Sequence, residues 1–293
     1  MSNLDTAASA AAGEHDPAWR SARRTAALEA FGAGQMPTQA EEIWRYVDLD
    51  VDLDDAGIPD APGTPMDADA IIAPVLGEVA GRALSIDGFT VEAEGEGLRK
   101  IAGGEAPSLG NAGIRADLDR FAAAHHAFGT DGVVVEIPKG KAVLAPYFVE
   151  VQAVTPGALV LPRVVVTAGD GSEGSVVILY RSPDGAPITA VPHVEVDAGT
   201  NSNVSVTVIQ MWGDETTGIS QHHHVGGRDA ALELAEAGIG GRFARMYLTM
   251  DLDGPGGDAR VLSLYFGDHD QTLDYRAYMN HNAPNTTSEM FLK

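Results

Sequence analysis

NVSVTVIQMW, residues 203–212, decides the fold. Val204, Val206 and Val208 fall on one face of an extended chain, and Ser205 and Thr207 on the other, which is the period of a strand with one buried face. Leu232 and Leu234 flank Glu233 in the same way, and Met246, Leu248 and Met250 alternate with Tyr247 and Thr249. From Asp131 onward such runs follow one another: GVVVEIP, AVLAPYFVEVQAV, RVVVTAG, SVVILY, AVPHVEVDAG, AALELAEAG, RFARMYLTMDL, ARVLSLYFG and QTLDYRAYMNH. They recur roughly every 10–15 residues with Gly, Asp, Asn or Pro between them and no long helical pattern, which leaves a sandwich, a barrel or a β-solenoid. Many joints are broad, such as AGDGSEGS, RSPDGAPIT, DAGTNSN and DLDGPGGD. Broad joints suit strands that turn corners and stack on the previous rung, and so favour a β-helix, although a jelly roll has nearly the same signature.

Working outward toward the N-terminus, the pattern changes. Residues 1–16 are Ala-rich with Asp5 and no basic or long apolar run, and read as a flexible tail. Residues 17–130 read as a mainly helical region, and 131–293 as the strand-rich core. DPAWRSARRTAALEAFGAG offers Asp16 as a cap, Pro17 in the first turn and Gly32 and Gly34 as a stop. Thr38 with Glu41 three residues on is a capping-box pattern, followed by Ile43, Trp44 and Tyr46 as apolar anchors. Short helices are expected over 68–80 and 114–127, with a hairpin over RALSIDGFTVEAEG turning at Asp87-Gly88.

Composition excludes several function classes. There is no cysteine, so disulfides, thiolate-held zinc, permanent Cys-ligated clusters and a Cys nucleophile are absent from this chain. The formal charge is −23, which repels nucleic-acid backbones and anionic membranes. No apolar stretch approaches the ~20 residues of a membrane-spanning helix, and the cytoplasm is the expected compartment. IPKGKAV lacks the phosphate-loop frame, GIGGR lacks the dinucleotide spacing, and no G-x-S-x-G elbow occurs.

The run from Gly227 to Lys293 resembles the core of the SufB/SufD family of iron–sulfur cluster assembly proteins. The residues that carry the resemblance are Arg228-Asp229-Ala230, Gly240-Gly241 with Arg245, Leu252-x-Gly254 with Ala259, Gly267, Gln271 with Asp274, His281, Pro284, Thr287, Ser288 and Lys293. Pro37 followed by Glu42-x-Trp44-Arg45-Tyr46 is similar to the SufD-type N-terminal signature, and DGVVVEIPKGKAV to the entry into the β-domain. The resemblance implies a right-handed parallel β-helix behind an N-terminal helical region. It implies a non-catalytic scaffold that works with a SufB-like paralogue and a SufC-like ATPase. It places the transient iron–sulfur cluster and ATP on the partner complex, with no cofactor on this chain. The lack of cysteine favours the SufD side. The resemblance also implies further rungs and terminal helices after the Ser288…Lys293 motif. A solenoid stopped there leaves a rung uncovered, so homo-association is expected.

Other residues suggest chemistry. His222, His223 and His224 stand in a strand-like run, so His222 and His224 share a face and are the candidate metal ligands, while His223 points away. A third ligand would have to come from another rung, and a structural role is the alternative. DLDVDLDD, residues 48–55, lacks an EF-hand frame, because Leu53 and Pro59 stand where glycine and a carboxylate are needed. Asp268, Asp270 and Asp274 are the carboxylates for the enzymatic alternative, a carbohydrate-active β-helix. His281 reads as a corner histidine that ties loop backbone to the next rung, or as a ligand.

Overall fold

A computed structural model describes residues 18–54, 56–68, 71–101 and 112–293. The expected tail and the Asp16–Pro17 start of the first helix lie outside them. The chain enters through α1 (Ala18–Ala33), a 3-10 turn at Glu42–Trp44 and the four-residue α2 (Ala73–Leu76). The hairpin forms as read, with β1 (Gly81–Ile86) and β2 (Phe89–Gly95) joined by Asp87 and Gly88 at φ 50° and 86°. Both residues are left-handed, as a tight two-residue hairpin turn requires. After β3 (Leu98–Lys100), α3 (Arg120–Phe128) is capped by Asp119, whose side chain accepts from the Ala122 N–H.

Strands then succeed one another without a helix: β4 (Val133–Ile137), β5 (Tyr147–Gln152), β6 (Leu159–Val160), β7 (Arg163–Ala168), β8 (Glu173–Arg181), β9 (Ile188–Ala190), β10 (His193–Ala198), β11 (Asn203–Met211), β12 (Thr216–Gly226), β13 (Ala231–Gly238), β14 (Phe243–Leu252), β15 (Asp258–Tyr265), β16 (Thr272–His281) and β17 (Thr287–Leu292). They build a parallel β-solenoid of about six turns, not a jelly roll. One sheet has eight strands in the order β17-β15-β13-β11-β8-β5-β1-β2. The other has nine, with the path β16-β14-β12-β10-β7-β4-β3 and the short β6 and β9 beside it. From β4 onward each strand pairs with one a full turn along the chain, and all pairing is parallel except at β1–β2 and β3–β4.

Stacking turns the alternation read in single strands into continuous columns. Val135, Val166, Val196, His224, Met250 and Met279 stand in register along the inner face of the nine-stranded sheet. Val149, Ile178, Val208, Glu236 and Ser263 do the same opposite. The interior is thus a slab of β-branched side chains, each worth about 1.5–3 kcal/mol when fully buried.

One corner recurs in every turn. Gly140, Gly171, Asn201, Asp229, Gly256 and Asn285 all have φ between 52° and 79°, and each N–H donates to the carbonyl of the residue before the corresponding corner of the next rung, down to Gly256 onto Pro284. They lie 27 (Asp229 to Gly256) to 31 (Gly140 to Gly171) residues apart. Only Gly, Asn and Asp adopt this left-handed conformation readily, which explains the composition of the joints.

Three expectations change. Strand structure begins at Gly81, inside the region read as mainly helical, because β1 pairs in parallel with β5 and extends the solenoid sheet. The helix expected over 114–127 starts at Arg120, because the Ile114 N–H donates to Glu195 and Asp119 caps the first turn instead. The apolar run after Thr38 makes only a 3-10 turn, with Glu41 accepting from the Thr38 N–H; Trp44 is buried, but Tyr46 is 80% exposed and anchors nothing.

Candidate functional site

The N-terminal layer, α1, the 3-10 turn and α3, packs on the outer face of the nine-stranded sheet through Ala27, Phe31, Phe121, Phe128, Val191, Ile219 and Phe243. Arg245 of β14 is its polar anchor. Its guanidinium lies 3.7 Å from the centre of the Trp44 ring and donates from both terminal nitrogens to the Ile43 carbonyl, at 3.2 Å each. It also pairs with Asp274 on the next rung, which in turn meets Arg276 at 3.3 Å. Trp44, Arg245 and Asp274, far apart in sequence, form one contact. A planar fork over an aromatic face is a role lysine cannot fill.

Beside this anchor is a cleft of about 390 Å³ lined by Ile114, Leu118, His223, Tyr247, Thr249 and Asp251. His223 Nε2 is 2.8 Å from Asp251 Oδ2, and Asp251 Oδ1 accepts from the Asn280 amide. The cleft offers hydrogen bonds and an aromatic wall, with Tyr247 and Tyr278 rings 5.4 Å apart. Among the described residues, no three His, Asp or Glu side chains converge as a metal site.

His222 and His224 do share a face, and it is the inner one. Their rings stack 5.9 Å apart inside the solenoid. Ser220 Oγ lies 2.6 Å from His222 Nε2, whereas neither ring nitrogen of His224 has a hydrogen-bond partner. Burial pushes His222 down to about 3 and lowers His224 well below the imidazole range, so both are neutral. Opposite them Glu236 is 4% exposed, and burial raises its carboxyl to about 8. Burial and the Glu236 carboxylate push the Tyr180 and Tyr275 phenols up. Gly238 leaves room for Tyr275, since a Cβ there would collide with its hydroxyl. This inner polar group (Tyr180, Ser220, His222, His224, Glu236, Tyr275) can donate and accept protons in a dry slab. The sequence signal for it was a polar residue on the inward phase of a strand, legible only once rungs are aligned.

The remaining motif residues hold corners. Asp229 takes the left-handed corner, and the backbone of Arg228 packs so closely on Gly254 that no side chain fits there. Gly241 has φ 90°. Gln271 Oε1 accepts from the Asp268 N–H. His281 lies 2.7 Å from Thr286 Oγ1 and 3.0 Å from Ser288 Oγ, tying its loop to the last strand. Arg45 pairs with Glu42 at the surface, and the Lys293 N–H donates to the Ser263 carbonyl. Asp268 sits at an exposed turn, Asp270 lines a small cleft with Asp48, Asp50 and Arg242, and Asp274 is engaged by two guanidiniums. The three carboxylates are thus divided among an exposed turn, a small cleft and an ion-pair network.

A two-sheet parallel solenoid carrying a clamped N-terminal layer is the class this geometry defines. Residues 151–293 match the family described as SUF system FeS cluster assembly, SufBD core domain, and this part of the chain belongs to the SufBD core family. An iron–sulfur cluster assembly SufBD family protein of Mycobacterium leprae is 26% identical over 261 residues, 89% of this chain and 60% of that protein. SufBD family proteins of Mycobacterium bovis and Mycobacterium tuberculosis are 29% identical over 187 residues, 64% of this chain and 46% of theirs. The chain thus spans about half the length of these relatives.

Two outcomes follow. Arg245→Lys loosens the N-terminal layer by about 1–3 kcal/mol, because it loses the bonds to the Ile43 carbonyl and the plane stacked on Trp44; limited proteolysis should cut before residue 60 while the solenoid survives. Second, a carboxyl raised from 4.5 to about 8 binds its proton in the folded state, so stability falls as pH rises from about 4.5 to 8 and levels off above. Between pH 7.5 and 8, about a unit above the ordinary imidazole value, Glu236→Gln should flatten the denaturant midpoint against pH; an unchanged slope would assign it elsewhere.

Proposed function

We propose that this chain is a SufD-like, non-catalytic scaffold subunit of a cytoplasmic iron–sulfur cluster assembly complex. It works through contact with a SufB-like paralogue and a SufC-like ATPase, which carry the transient cluster and the ATP. The observation that supports this reading best is the Trp44–Arg245–Asp274 contact, which joins the N-terminal signature to the SufBD core in one unit. Two further features agree with it. The chain has no cysteine, so a cluster held by thiolates belongs on another subunit. Residues 151–293, which match the SufBD core domain, form the parallel solenoid that such a scaffold calls for.

The test is co-purification. The tagged chain, alone and extended along its own reading frame, is expressed in its source cell, and bound proteins are identified by mass spectrometry. Recovery of a SufB-like paralogue and a SufC-like ATPase with the extended form is the expected result. Their absence from both forms would overturn the scaffold reading.

A further inference from the structure

A second histidine cluster lies between the N-terminal layer and the solenoid, outside the anchor and the inner polar group. His125 and His126 come from α3 and His193 from β10. The His125 and His193 rings are stacked 3.5 Å apart and within 7° of parallel, and His126 stands edge-on 5.4 Å from His193. Each imidazole points Nε2 at an oxygen: His125 at Pro162 O (2.9 Å), His126 at Ile114 O (2.7 Å) and His193 at Gln221 Oε1 (2.8 Å). These bonds place the one proton of a neutral ring on Nε2. A second proton would go to Nδ1, and His193 Nδ1 is buried with no hydrogen-bond partner.

The surrounding charge disfavours that second proton. From the sheet, Arg163 faces the cluster and is bound to Glu195, which is fully buried. From α1 come Arg23, Arg20, which donates to the Thr130 carbonyl, and Arg24, which donates to the carbonyls of Ala127 and Gly129. Asp131 borders the same small cavity, and Asp119 reaches the cluster only through Gln221. Of the carboxylates, Glu195 already serves Arg163 and the Ile114 N–H.

We propose that this three-histidine seam is an acid-operated latch that releases the N-terminal layer from the solenoid face. Docked, the rings stack as neutral groups. Protonated, they would place like charges 3.5 Å apart beside arginines, so the charged forms belong to the undocked layer. Release would uncover Val191, Ile219 and Phe243 on the outer sheet face. Burial lowers all three imidazoles, in agreement with the stacking geometry. The docked state therefore binds fewer protons. It is fully favoured above the ordinary imidazole value of about 6.5 and weakens as pH falls below it. From pH 7.5 to 5.5 His125 and His193, both held well below the ordinary value, each contribute about a 10-fold increase in the opening constant, ~10² for the pair, and His126 adds to it.

Hydrogen exchange of the full chain, corrected for intrinsic rates and read by mass spectrometry at pH 7.5 and 5.5, tests this. The expected result is a loss of protection over 120–128 of at least ~10²-fold, with strands 194–198 and 204–208 remaining the better protected at pH 5.5. His125→Phe keeps the stacked ring without its titration and should make the loss about 10-fold smaller. Protection over 120–128 that does not change with pH would overturn the latch. So would solenoid strands no better protected than 120–128 at pH 5.5, which is global unfolding, or a folded His125→Phe with the full wild-type dependence. If that variant does not fold, the wild-type comparison of the two regions decides.

Discussion

Everything in this molecule depends on the left-handed corner that returns each turn of chain to the register of the last. A residue at Gly140, Gly171, Asn201, Asp229, Gly256 or Asn285 must hold positive φ, and its N–H must reach the next rung. Once it does, the strand that follows falls directly beside the strand one turn earlier. Inward valines then stack on inward valines, and the two sheets close on a dry slab. A single corner out of place would slip every side chain beyond it to the wrong face.

That regularity makes the exceptions informative. Where the columns carry His222, His224, Glu236 and Tyr275 in place of aliphatic residues, burial holds the imidazoles and the carboxyl in their neutral forms and keeps the phenols protonated. On the outer face the same rungs deliver Arg245 and Asp274 to Trp44, and His193 to His125. One wall of the solenoid is thereby half a binding partner for the chain's own N-terminal layer. The solenoid is a ruler: it brings residues about one turn apart into adjacent positions on a single face.

The strands were legible because alternation is local. Val204 to Val208 and Met246 to Met250 show their buried phase within a few residues, and both are inward as read. The turn repeat was not read, because its length varies from rung to rung and its marker changes between Gly, Asn and Asp. Without it, His222 and His224 could be assigned to a common face but not to the interior, and Glu236 was invisible. The N-terminal region was less legible for a different reason. Its short elements are set by tertiary hydrogen bonds: Glu195 takes the Ile114 N–H that would have extended α3, and β1 joins a sheet whose other strands lie far along the chain. The Trp44–Arg245–Asp274 contact was foreshadowed only as separate family-motif residues, with nothing to say that they touch.

Stacked rungs, each supported by the next, hold the structure. Amide hydrogen exchange resolved strand by strand at pH 7.5 tests this most directly. Central strands covered on both sides, 163–168, 193–198 and 221–226, should exchange most slowly, with protection falling toward 272–281 and 287–292, the outermost described strands of the two sheets. Equal protection in the last rung and in the middle of the stack would contradict it.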